Sequence, residues 1–216
     1  RVDIDYAQGT RVSTDFYSAS SHAGTHMDAP SHFYPGAATI DQLPLDQLTG
    51  PAAVIDITER AATDRNAEMT VADLIHWEQE TGQTLNDTIV LMRSGYGKCY
   101  SNKELYTGTV EDDITKTRFP GVSPEAALFM VTNRRVKGAG VDTLCFDRGL
   151  TKDYLSHQIF LGNGLFIMEN VANLEKVPIY GATVYASPMK IRNAGGAPLR
   201  LVATYPNVDY KTNKLY

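Results

Sequence analysis

The chain has 216 residues, of which 43% are hydrophobic and 21% charged, and a net charge of −5. Those proportions are ordinary for a soluble globular protein, and the length is enough for one domain over residues 1–216 with a real core. An acidic chain lacks the basic face of a nucleic-acid binder, and no apolar run approaches the ~20 residues that span a bilayer.

In chain order, residues 1–21 are polar with alternating apolar positions such as Val2 and Ile4, which predicts edge strands leading into a histidine-rich stretch at 22–33. Ala52 to Ile57 is a short β-branched run and reads as a buried strand. Thr70 to Thr81 reads as a helix, with Thr70 and Asp73 as a capping box and Gly82 as the stop. His76, on that helix, reads as a surface histidine. Asp87 to Arg93 is the clearest buried strand.

Residues 98–122 are polar and predict a surface loop, with a lid over the site as its functional reading. Ser123-Pro124-Glu125 starts a second helix. Arg134, Arg135 and Lys137 read as a solvated helix end. Lys137 to Phe146 predicts a strand ending at Asp147. Gln158 to Leu161 and Leu165 to Met168 are apolar runs around a Gly162-Asn163-Gly164 turn, Asn173 to Val177 suits a short helical turn, and Thr183 to Tyr185 and Leu199 to Thr204 read as closing strands. Strands and helices mix irregularly, so the fold class expected is α/β with a mixed sheet or barrel, not strict βαβ winding.

The densest chemistry is His22-Ala-Gly-Thr-His26-Met-Asp28-Ala-Pro-Ser-His32-Phe33. Imidazole is the commonest protein ligand for several divalent metals, and carboxylate adds a hard oxygen. A locally extended chain points His26 and Asp28 the same way, whereas a helical turn would bring His22 to His26. One regular element cannot do both, so a kinked loop folded around an ion is expected, with Gly24 allowing the turn and Pro30 forbidding a helix. Two His and one carboxylate leave coordination positions open, as a catalytic site requires. His32, beyond Pro30, has the ~6.5 unperturbed pKa of a general acid/base. His157 and Glu169 read from spacing alone either as ordinary surface residues or as the two ends of a hairpin facing the same site. Thiolate is absent from the motif, so the cofactor expected is one or two divalent ions, zinc or manganese. No Gly-x-Ser-x-Gly elbow, His-Glu-x-x-His helix or dinucleotide fingerprint is present. Cys99 and Cys145 are too few for a disulfide framework and read as free thiols.

The motif matches His-x-Gly-Thr-His-x-Asp-x-Pro-x-His-Phe at every fixed position, and the sequence thereby resembles the cyclase family of metal-dependent hydrolases, which includes kynurenine formamidases and isatin hydrolases. The resemblance continues through Phe119-Pro120-Gly121-Val122-Ser123, Gly140-Val141-Asp142-Thr143, His157-Gln158 and Glu169-Asn170-Val171. It implies that His22, His26 and Asp28 bind the catalytic metal, that His32 is the acid/base, and that His157 and Glu169 hold a second metal with Asp28 bridging. It also implies a β-barrel-like core flanked by helices (swivelling β/β/α-type), a small-molecule substrate and a homo-oligomer, dimer or tetramer. The activity implied is hydrolysis of a C–N bond in an aryl formamide or cyclic amide. Cyclase or dehydratase chemistry at the same site and a silent metal- or ligand-binding relative are the alternatives.

Two departures fall near the expected pocket. A longer N-terminal family segment is missing before His22, which suggests a trimmed or processed chain. Leu144-Cys145-Phe146-Asp147 stands where relatives often have Pro-Ser-Ile-Asp. The Asn86-Asp87-Thr88 sequon, with no signal peptide, leaves both cytoplasm and secretion open as locations.

Overall fold

The structure, a computed structural model, describes residues 2–5, 9, 11–206, 208–209 and 214–215. Among the described residues, strands β1 (Val2–Asp5) and β2 (Arg11–Thr14) pair antiparallel with each other and with no other strand. The predicted N-terminal strands therefore form a separate two-stranded sheet and not an edge of the barrel; residues 1, 6–8 and 10 lie outside the described residues.

The main sheet is a closed seven-stranded barrel. Its strands are β3 (His26–Asp28), β4 (Thr49–Asp56), β6 (Ile89–Arg93), β8 (Gly138–Val141), β9 (Phe166–Glu169), β10 (Thr183–Pro188) and β11 (Gly196–Thr204). Two further short strands, β5 (Glu68–Met69) and β7 (Gly121–Val122), pair apart from it in parallel. Around the barrel β4, β6, β8 and β9 run parallel, while β3 and β11 close it with antiparallel pairs and β10 joins β11 back to β4. The expected mixed α/β fold with a barrel core is what forms.

Successive residues of a strand face opposite sides, so each strand supplies two cores. Val54, Ile89, Leu91, Phe166, Met168 and Met27 turn into the barrel. Helix α1 (Thr58–Thr63) follows β4. Ala53, Ile55, Val90, Met92 and Ile167 turn outward, against helices α2 (Val71–Thr81), α4 (Pro124–Asn133) and α5 (Leu155–Gly162). Both faces are covered, which explains why β6 reads as an unbroken apolar run. Gly138 on β8 makes room for this packing: a Cβ there would lie 2.4 Å from the Phe166 ring.

Helix α2 carries the predicted capping box between Thr70 and Asp73 and ends at Gly82 in the left-handed region, φ +64°. Helix α4 is capped by Ser123 with Pro124 at its first turn. His76 is a surface residue beside Glu80. The expected loop at 98–122 contains helix α3 (Lys103–Thr107) between turns. The expected strand from Lys137 contracts to the four residues of β8, because Asp142 leaves the ladder to accept hydrogen bonds from Ser94 N and Oγ and Gly95 N. The basic cluster does follow a helix end, with Arg134 at the C-cap of α4 and Arg135 exposed, but two of its cations are paired. Arg134 makes a forked pair with Glu78 at 2.8 Å, and Lys137 Nζ donates to the carbonyls of Asp46 and Thr49.

Candidate metal centre

The histidine stretch is the expected kinked loop only as far as residue 25. His26, Met27 and Asp28 form β3 inside the barrel, and a single 3-10 turn follows at Pro30–His32. The period of two then places the chemistry. Met27 points into the barrel, so His26 and Asp28 point outward, where α5 packs. On the neighbouring β9, Met168 points inward and Glu169 outward, and His26 lies directly opposite Glu169 in the register. The polar groups thus collect between the barrel wall and α5.

His22 reaches the same place by a bend. Gly24 adopts φ +63°, and its carbonyl lies 2.8 Å from His26 Nδ1, which leaves Nε2 of His26 to face the carboxylates. His22 Nδ1 lies 2.7 Å from Asp28 Oδ1, and His26 Nε2 lies 3.3 Å from that same oxygen. The other oxygen of Asp28 lies 3.5 Å from His157 Nε2. His157 Nε2 is also 3.0 Å from Glu169 Oε1, and His26 Nε2 is 3.3 Å from Glu169 Oε2. Asp28 therefore stands between two groups, with one oxygen toward each. His26, Asp28, His157 and Glu169 are buried, whereas His22 keeps 27% of its side chain exposed.

His157 and Glu169 are not the ends of a hairpin. His157 belongs to α5 and Glu169 ends β9, with the Gly162–Gly164 turn joining helix to strand. Spacing concealed this because Gln158 to Leu161 is apolar on a helix that is buried on one face. His157 is held by Asp147, whose Oδ2 lies 2.6 Å from Nδ1, and the same carboxylate accepts the Ser156 and His157 amides at the N-terminus of α5. Phe33, the last residue of the motif, stacks on the His157 ring with centroids 5.1 Å apart. Asp147 was visible only as a polar residue after an apolar run, ten positions before His157.

Burial by itself would lower the pKa of His26, but the Asp28 and Glu169 carboxylates outweigh it and raise it to about 10. Burial likewise opposes the charge on His157, and Asp147, Asp28 and Glu169 overcome it to hold that ring well above the ordinary histidine range. Burial would raise Asp28, but the close imidazoles of His157, His22 and His26 hold it well below the usual carboxylate range. His32 behaves in the opposite way. It sits at the exposed side of the site, 4.2 Å from the His22 ring, and loss of water around its ring lowers its pKa.

Two groups could hold a cation among the described residues: His22, His26 and Asp28, and separately Cys145, His157 and Glu169. The donor atoms of each group lie within 4.8 Å of one another. Buried His26 Nε2 and Asp28 Oδ1 have close oppositely polar neighbours but make no well-aligned hydrogen bond. Buried polar atoms are rarely left so, and neutral imidazoles and carboxylates converging at this density fit a divalent ion.

Without an ion, protons do part of its work, and this sets a pH dependence. The folded pKa of His26 exceeds its ordinary 6.5, so its contribution to stability is complete below about 6.5 and is lost as pH rises toward about 10. Chelator-treated protein is therefore expected to lose thermal midpoint across that window, while metal-loaded protein holds its midpoint because ligand imidazoles must be deprotonated. Scanning calorimetry of both forms from pH 6 to pH 10 checks this; a flat apo curve contradicts it.

Gly196 on β11 is a site residue that sequence reasoning missed. It pairs with Asp28 in the register, and a Cβ there would lie 2.4 Å from His22 Cε1 and 2.6 Å from its Nε2. Gly196→Ala is expected to push His22 off the centre and weaken ion binding by about 10- to 100-fold, the usual effect of misplacing a ligand, with little change in circular dichroism. Titration with a divalent ion reads this directly.

The family model described as "Putative cyclase" matches residues 4–148, which contain the whole histidine motif. The chain is 30% identical over 194 residues to "Isatin hydrolase" of Roseibium aggregatum, covering 86% of this chain and 72% of that protein. It is 28% identical over 195 residues to "Kynurenine formamidase" of Paracidovorax citrulli, covering 90% and 81%. The solved structure of isatin hydrolase A from Labrenzia aggregata superposes with a TM-score of 0.79 at 34% identity, covering 86% of this chain and 74% of that one. The match of motif, barrel and relatives places the chain in the putative cyclase family.

Proposed function

We propose that this chain is a metal-dependent hydrolase that opens a C–N amide bond in a small aryl formamide or cyclic amide. The observation that carries the reading is Asp28, buried between two donor groups with one oxygen toward His22 and His26 and the other toward His157. The similarity to proteins named isatin hydrolase and kynurenine formamidase supports the substrate class.

His22, His26 and Asp28 would hold one divalent ion, and His157 and Glu169 a second beside Asp28. Nitrogen and oxygen donors suit zinc or manganese there. A bound ion supplies Lewis acidity, polarising a carbonyl and making water nucleophilic near neutral pH. The chain's own residues do the rest. Asp147 fixes the His157 ring through Nδ1, leaving Nε2 toward Asp28 and Glu169. Phe33, Phe146 and Tyr154 surround that ring and exclude water from it. His32, at the exposed side and with a lowered pKa, takes a proton from the attacking water onto its imidazole and returns it to the leaving nitrogen.

The test is a panel of N-formylkynurenine, isatin and related aryl amides, incubated with metal-loaded protein and with the same protein after chelation. Turnover that disappears on chelation and returns with the ion is the expected result. Stoichiometric metal with no turnover anywhere on the panel would overturn the hydrolase reading in favour of a binding protein.

A further inference from the structure

Cys145 lies in the Leu144-Cys145-Phe146-Asp147 turn that follows β8. That turn is tied to the centre on both sides of the cysteine. Thr143 Oγ1 donates to the Cys145 carbonyl, the Phe146 amide donates to Glu169 Oε1 at 2.8 Å, and Asp147 Oδ2 lies 2.6 Å from His157 Nδ1. These bonds bring the thiol to the two acceptors: Cys145 Sγ, a ring nitrogen of His157 and a carboxylate oxygen of Glu169 lie within 4.8 Å of one another. Beside them, buried His26 Nε2 lies 3.3 Å from Glu169 Oε2 without making a well-aligned hydrogen bond. Cys145 is a free cysteine, as is Cys99.

We infer that Cys145 is a thiolate ligand of the ion held by His157 and Glu169, so that the centre has a nitrogen–oxygen half at His22, His26 and Asp28 and a sulfur-containing half at Cys145. This rests on the metal-centre reading above. A thiolate among nitrogen and oxygen donors shifts preference toward softer ions. The sulfur-containing half is therefore selective for zinc, cobalt or cadmium over manganese, and the two halves take different metals when both are offered.

The experiment is cobalt(II) titration of the full chain and of Cys145→Ser and Cys99→Ser variants, read by absorption spectroscopy and by bound cobalt per chain. Wild type and Cys99→Ser are expected to show the visible bands of bound cobalt together with a near-ultraviolet sulfur-to-cobalt charge-transfer band. Cys145→Ser keeps the visible bands and loses the near-ultraviolet one, and its cadmium-over-manganese affinity ratio falls by about tenfold or more. Visible bands without the charge-transfer band in wild type would overturn the cysteine assignment and leave the metal centre standing. The band surviving in Cys145→Ser would do the same. No cobalt bound by wild type would overturn the metal-centre reading itself. The wild-type spectrum decides the matter even if the serine variant does not fold.

Discussion

Asp28→Ala is expected to lose bound metal and activity together, at least about a hundredfold in turnover. The magnitude follows from a comparison: removing a partner that only orients a ligand already costs 10- to 100-fold in affinity or activity, and Asp28 lies within ion-pair distance of three histidines from two donor groups. The loss has a second component. His26 and His157 are held above the ordinary histidine range in part by Asp28, and its removal takes away a negative partner from buried rings. The ion-free variant is therefore expected to be less stable than ion-free wild type at pH 6, where those rings are charged, and the gap should close as pH rises and the rings lose their protons. Elemental analysis and calorimetry check the two parts. Full metal occupancy in the variant would remove Asp28 from the ligand set.

How much of this centre the sequence discloses depends on how local each contact is. His22, His26, Asp28 and His32 sit within eleven residues, and the extended reading of His26 and Asp28 already turns both to one side; β3 does so. Capping chemistry is equally local, and the starts of α2 and α4 fall where Thr70 and Ser123 predict them. What the strand faces cannot be read the same way. That His26 stands opposite Glu169 depends on a pairing across more than 140 residues, and the site lies outside the barrel because Met27 and Met168 win the inner face. Spacing leaves His157 open between a surface residue and one end of a hairpin, because a helix with one buried face and a buried strand share the same apolar composition over four residues. Gly196, Asp147 and Cys145 are still less legible. Each acts through a neighbour that folding alone brings close: a glycine by the space it leaves for His22, a carboxylate by fixing a ring ten residues on, and a thiol by the turn that carries it.

His32→Ala is expected to keep full metal occupancy and lose turnover by about 10²- to 10⁴-fold, the range for removing a positioned general acid/base. The separation of occupancy from rate follows from place. His32 lies beside His22, with ring centroids 4.2 Å apart, but no carboxylate of the centre is within ion-pair distance of it. Its pKa is lowered by loss of water around the ring, so near neutral pH the imidazole is uncharged and ready to accept a proton. The sign of the pH effect is then set. Activity in wild type should fall as pH drops through the lowered pKa of His32, because the protonated ring cannot act as base, and this acid limb should be missing from the residual rate of His32→Ala. An acid limb that persists unchanged in the variant would assign it to another group, and wild-type turnover in His32→Ala would remove His32 from the chemistry. His32→Gln, which keeps a polar side chain of similar length but cannot shuttle a proton, should match the alanine variant in rate; recovery by glutamine would mean that His32 positions the substrate and does not move the proton.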